Sequence, residues 1–390
     1  MAHPVSLTGV KRSTERILTT FVGSLIRPPA LRELQTREGV DPEVYAETLR
    51  AAVAEAVRKE AEVGLDVVSD GEYGKSNWAS YVLERVTGFE VRPAPPGTPP
   101  YNRFGREREE FADFYSQHTV GEWSPRLIVC TGPIGYDDRH IRRDIANFKA
   151  ALAAVDVQEA FMPVVAPASF LREAHNEYYP SEEAYVYAIA DALRREYQAI
   201  LEAGFLLQVD DAVLATMWVV MEAEGLRAYR RWAELRIEAL NHALEGLPED
   251  RVRYHLCWGS WPGPHVTDIP LEHIVDLVLK VRAGAYALEA GNARHAHEWK
   301  VWQHTRLPDG KVLIPGVISH STPVVEHPEL VAERIVRYAR LVGRENVLAG
   351  SDCGFAQSQG LSRVPPSIMW AKLRSLADGA RLATHELGFS

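Results

Sequence analysis

Short runs of β-branched and other apolar residues alternate with longer amphipathic segments from about Ile17 to Arg381. This rhythm predicts β/α units around a parallel sheet. Nine runs read as strands, ending in ILTTFVGS, LDVVSDGE, RLIVCTGP, FMPVVAPAS, FLLQVDD, VRYHLC, YALEAG, VLIPGVIS and NVLAGSDC. Between them the pattern predicts helices over Pro42–Val63, Ser181–Ala203 and Pro328–Val342. Ser181 followed by Glu182 and Glu183 gives the second of these a capping hydroxyl and an acid-rich first turn.

A (β/α)₈ TIM barrel needs eight strands, so one run is surplus. RLIVCTGP is the natural candidate, because it follows the least regular stretch of the chain, about 88–126. There PAPPGTPP sustains neither a helix nor an inner strand, and the charged run REREE follows it. The expected organisation is an N-terminal extension over 1–16 and a single TIM-barrel domain over 17–390, with an insertion at about 88–135.

Composition narrows the class of partner. At 390 residues, with 46% hydrophobic and 25% charged positions, the chain can bury a large core. A net charge of −10 argues against nucleic acid and against an anionic membrane surface, since both select a basic face. No stretch reaches the length of apolar sequence that spans a bilayer, and the start MAHPVSLTGVKRSTER lacks the apolar core of a signal peptide. The expectation is a cytoplasmic protein acting on small molecules, with homo-oligomerisation left open. Three cysteines, Cys130, Cys257 and Cys353, are too few for a disulfide framework and suit a reducing compartment.

The chemistry-bearing residues gather at the carboxyl ends of the predicted strands, the face on which barrel enzymes assemble their sites. In YHLCW, His255 and Cys257 stand two apart, so a strand points both toward one face. Glu289 ends the next strand, and Cys353 follows the last between Gly350 and Gly354. One imidazole, two thiols and a carboxylate form a tetrahedral candidate set, and soft thiolates favour zinc over magnesium or calcium. Packing alone accounts for a lone His-x-Cys pair, and a closed structural zinc site is the bland reading of all four. RHAHEW, with His295, His297 and Glu298, suggests a second metal site but reads as surface or supporting residues at a helix opening.

HLC, the following LE, SDCGF near the C-terminus and the early TTFVGS together resemble the catalytic barrel of cobalamin-independent methionine synthase and its shorter single-barrel relatives, over roughly 17–387. The resemblance implies that His255, Cys257, Glu289 and Cys353 bind a zinc ion that takes up the thiol of homocysteine. It implies further that Ser24, Glu72 and Asp210 hold the amino and carboxylate groups of that substrate. His320, in ISHSTP, falls near the family's proton-donating histidine once a one-residue gap is allowed. Asp352, beside Cys353, is expected to orient a ligand or the loop.

The sequence departs from the family in two respects. There is no room for the second, N-terminal barrel that helps hold folate polyglutamate, and the tryptophan offered to the pterin after the third strand has no counterpart in VAPASFLRE. The expected function is zinc-dependent alkyl transfer, foremost methyl transfer, from a small-molecule donor to a thiol such as homocysteine. The alternatives are epoxide-opening or other alkyl transfer to a different thiol such as coenzyme M, a metal-free decarboxylase resembling uroporphyrinogen decarboxylase, and a non-catalytic zinc-binding barrel.

Overall fold

Eight short, buried strands form a parallel sheet curled into a near-closed barrel in the computed structural model, which describes residues 9–94, 104–117, 126–170, 174–358 and 362–389. In chain order they are β1 (Leu18–Thr19), β2 (Val67–Val68), β3 (Glu159–Val165) and β4 (Leu206–Asp211), then β5 (Val252–Leu256), β6 (Ala285–Leu288), β7 (Val312–Ile318) and β8 (Leu348–Ser351). Each pairs with its sequence neighbour from β2 through β8, and β8 pairs with β1. Between β1 and β2 the ring is drawn together by Asp66 N–H donating to Thr19 O at 3.1 Å and Thr20 Oγ1 donating to Val67 O at 3.2 Å. This is the (β/α)₈ barrel that the strand rhythm predicts.

The surplus run leaves the barrel. Arg126–Tyr136 pairs antiparallel with Val86–Pro93 and parallel with Ala174–Asn176, making a three-stranded sheet outside the ring. Its root is fixed by Arg85, fully buried, which donates to Asp144 at 2.7 Å and to Glu196. Two buried carboxylates thus hold one guanidinium where the chain departs from the barrel, an arrangement worth having only because all three are paired. Most of PAPPGTPP lies outside the described residues.

The predicted helices form where their boundary chemistry says they should. Pro42–Val63 starts on Asp41, whose side chain accepts from Glu43 N–H, with Pro42 in the first turn and Gly64 closing the far end at φ 97°. Glu182–Glu202 starts on Ser181, which accepts from Ala184 N–H, and Pro328–Val342 starts on His327. Among the described residues no helix is long and apolar enough to cross a membrane.

Polar residues inside the barrel set the shape of its mouth. Arg253 of β5 donates to Thr20 Oγ1 at 3.0 Å and to Phe21 O at 3.1 Å, with its guanidinium 3.9 Å from the centre of the Phe161 ring. Gln208 of β4 donates to Val22 O and, at 2.9 Å, to Asp210. Together they pin the chain that follows β1. Burial costs Arg253 its usual basicity and pulls it down to about 9.

Candidate metal and thiol site

The strand ladders of β1 and β2 are only two residues long, shorter than the apolar runs that predict them. Beyond the ladders the chain turns, with Gly23 at φ 129° and Gly71 at φ 68°. Glu72 follows at φ 58°, a left-handed backbone that a glutamate adopts only when its surroundings enforce it. The turns carry Ser24 and Glu72 over the barrel mouth. Arg27 donates to the Glu72 carbonyl at 2.9 Å, and Phe355 N–H donates to Ser24 O at 2.9 Å, so both loops are braced by their neighbours.

β5 delivers His255 and Cys257, and the chain just past β8 delivers Cys353. One imidazole nitrogen and the two sulfurs lie within 4.8 Å of one another. The sulfurs are 3.8 Å apart. His255 is buried, and neither ring nitrogen has a conventional hydrogen-bond partner. A buried imidazole normally finds one, so the orphaned nitrogens beside two thiols fit a metal ion as the missing partner. The Cys257 hydrogen bond holds the Cys353 thiol well below its usual range against the opposing effect of burial, and His255 and His320 add to the effect. Cys257 moves the other way, raised by the same hydrogen bond and by burial.

Glu289 does not belong to this three-residue group. Its Oε1 accepts from Trp258 N–H at 2.7 Å and its Oε2 from Asn292 Nδ2 at 2.6 Å. Burial pushes the carboxyl well above its usual range, with the His295 charge and the Trp258 N–H hydrogen bond opposing. These two hydrogen bonds turn both carboxylate oxygens toward Trp258 and Asn292, which is why Glu289 stands apart from the three-residue group where a four-ligand set was expected. Asp352 accepts from Ala290 N–H at 2.8 Å, from Gly291 N–H at 2.7 Å and from Asn292 at 3.1 Å. It therefore ties the loop that carries Glu289 to the one that carries Cys353.

Ser24, Glu72 and Asp210 line a narrow cleft together with His255, Cys257 and Cys353. Sequence reasoning missed Lys75, which is buried and donates to Glu72 Oε1 at 3.0 Å and to Pro163 O at 2.6 Å. Its spacing of three from Glu72 was the available signal. Burial raises Asp210 to about 7, with the His255 charge opposing. His320 opens instead onto a second cavity, shared with Glu289, Asn292, His295 and Trp261. It is buried, both ring nitrogens lack a partner, and burial pulls it down to about 4.

The RHAHEW residues divide. His297 is exposed, whereas His295 and Glu298 are buried. His295 Nδ1 lies 3.0 Å from Glu298 and Nε2 lies 3.0 Å from Asp268, which also meets His265 Nδ1 at 2.9 Å. The His295 ring packs tilted against Trp258, with 4.3 Å between centroids. The cluster is a self-satisfied charged ladder.

A (β/α)₈ barrel with a nitrogen and two sulfurs converging at its carboxyl mouth defines a class: barrels whose catalytic face can hold a soft metal. Residues 124–367 match the family described as cobalamin-independent synthase, catalytic domain, and the chain belongs to that family. An uncharacterized Bacillus subtilis protein, YxjH, is 25% identical over 97% of this chain and 98% of its own length. A protein named methionine synthase from Sulfolobus acidocaldarius is 24% identical over 95% of this chain and 93% of its own. Among solved structures, a B12-independent methionine synthase from Shewanella in complex with selenomethionine superposes with a TM-score of 0.72 at 19% identity, covering 95% of this chain and 99% of that one. A Listeria monocytogenes structure titled as a putative vitamin-B12-independent methionine synthase gives 0.65, also at 19% identity, covering 94% and 98%.

Proposed function

We propose that the protein is a zinc-dependent alkyltransferase, foremost a methyltransferase, that acts on the sulfur of a small thiol such as homocysteine. The observation that carries this reading is the buried group of His255, Cys257 and Cys353 at the barrel mouth, opening directly onto the cleft that holds Ser24, Glu72 and Asp210. His255, Cys257 and Cys353 would hold the metal, and Glu289 is the fourth candidate. When bound, zinc would supply the acidity that keeps a substrate thiol deprotonated near neutral pH.

The remaining work falls to side chains. Ser24 is placed to orient a carboxylate, and the acids Glu72 and Asp210 to hold an ammonium group. The low basicity of His320 leaves its imidazole neutral near pH 7, where its one N–H can hydrogen-bond a departing nitrogen or oxygen while the proton itself comes from solvent. Apolar wall residues of the cleft, Val22 and Trp78, would help exclude water from the sulfur. Relatives that carry the name methionine synthase support homocysteine as the acceptor.

One observation favours a second reading, transfer to a thiol with an anionic head group such as coenzyme M. Lys75 already neutralises Glu72, leaving only Asp210 to attract an ammonium group.

The test combines metal analysis with a thiol panel on the full chain. The purified protein is expected to carry about one zinc per chain, lost in Cys353→Ser. Homocysteine, coenzyme M and an uncharged thiol are then compared for proton release on binding. Retention of zinc by Cys353→Ser removes the assigned centre, and absence of proton release with every thiol removes the assigned chemistry.

A further inference from the structure

The loop after β5 does more than end in a ligand. After Cys257 it turns at Gly259, whose φ of 93° few other residues tolerate, and this turn brings Ser260 back toward β8. Ser260 Oγ donates to Cys353 Sγ at 3.0 Å, and Ser260 lines the thiol cleft. One short segment, Cys257–Ser260, thus contributes a sulfur to the cluster and a hydroxyl to the other sulfur.

We infer that Ser260 is a positioning residue for the metal centre: its hydroxyl hydrogen-bonds the Cys353 thiolate and fixes both the direction and the electron density of that sulfur. The inference rests on the metal reading above but on neither the thiol nor the donor proposed there.

The charge balance gives the reason. Two cysteine thiolates would cancel the charge of a divalent zinc ion, so with or without Glu289 an incoming substrate thiolate would leave the shell net anionic. A hydrogen bond from a hydroxyl to an anionic sulfur is charge-assisted and draws density away from it. Ser260 would therefore ease the entry of a third sulfur while holding Cys353 in place. Asp352 braces the adjacent backbone but reaches no sulfur, so the two residues act on different parts of the same loop.

Cobalt-substituted full-length protein tests this, because thiolate-to-cobalt charge-transfer bands report the electron density on sulfur in the absence of any turnover. Ser260→Ala is expected to shift the charge-transfer band to lower energy, and Ser260→Thr, which keeps the hydroxyl, to restore it. The half-saturating concentration of the preferred thiol, followed by the same spectrum, should rise roughly tenfold in Ser260→Ala. A parent protein that binds cobalt with an unmoved band in Ser260→Ala overturns the inference alone. A parent protein that binds no cobalt overturns the metal reading, and the inference with it.

Discussion

His295 offers a sharp test of how buried charge holds the second cavity together. Each of its nitrogens faces a carboxylate at 3.0 Å, Glu298 on one side and Asp268 on the other, so both must carry protons. Burial opposes that charge, but the two carboxylates outweigh it and raise the imidazole from 6.5 to about 10. A histidine that holds its proton more tightly in the fold than in the unfolded chain stabilises the fold fully below about pH 6.5. That contribution fades as pH rises toward about 10, because the unfolded chain no longer binds the proton while the folded one still must. The gap corresponds to at most about 5 kcal/mol.

Replacing His295 by Asn removes the cation and leaves Asp268 with His265 and Glu298 with the Leu271 N–H. The expected cost is about 3 kcal/mol at pH 6.5, shrinking to about 1 kcal/mol at pH 9.5. Urea unfolding followed by far-UV circular dichroism at several pH values between these limits measures it, with parent and variant compared so that other titrating groups cancel. Zinc should still bind, since the ladder does not include His255, Cys257 or Cys353, although Glu289 loses the His295 charge that pulls it down. Parallel loss of stability in parent and variant across this range would refute the doubly protonated assignment, as would a variant equal to the parent at pH 6.5.

Two further outcomes follow from the packing. At Gly354 a Cβ would fall inside the van der Waals shell of Ser24 Oγ, so Gly354→Ala should raise KM for the thiol about tenfold or more while the thermal midpoint moves little; an unchanged KM would take Ser24 out of the substrate cleft. Arg85→Met strands Glu196 as a buried acid with only the Tyr81 hydroxyl at 3.5 Å, while Asp144 keeps Arg143 at 2.8 Å, and should cost about 3 kcal/mol, read as a drop in the unfolding midpoint; a stability loss under about 1 kcal/mol would contradict the buried Arg85–Glu196 pair.

Periodicity made the barrel legible. The runs ending in VRYHLC and NVLAGSDC place His255, Cys257 and Cys353 where parallel strands must deliver them, and strand alternation alone puts the first two on one face. Helix ends were equally readable, because Asp41, Ser181 and Gly64 carry boundary chemistry in their own side chains or lack of one. Residues on turns were not readable. Ser260 reaches Cys353 only because Gly259 reverses the chain, and Lys75, although its spacing of three from Glu72 was a signal, lies on a turn where Glu72 adopts a left-handed backbone. Neither conformation has a period that a sequence pattern can reveal. His295 read as a surface or supporting residue because its partner Asp268 lies 27 positions away in the chain, and Glu298 likewise because its other partner, the Leu271 N–H, is equally remote.

The distribution of roles around the ring has a consequence for specificity. β5 and β8 supply the cluster, the loops after β1 and β2 together with the end of β4 supply the cleft proposed for the head group, and the loop after β7 supplies His320 to a separate cavity. The head-group residues and His320 therefore share no wall except through the loop at Gly259, which lines both spaces. Substitutions in the cleft should alter which thiol is taken, and substitutions beside His320 should alter the leaving group served, with little coupling between them because the sites have few partners in common. Residues of the Gly259–Ser260 loop are the exception, since a shift there moves the floor of both spaces at once.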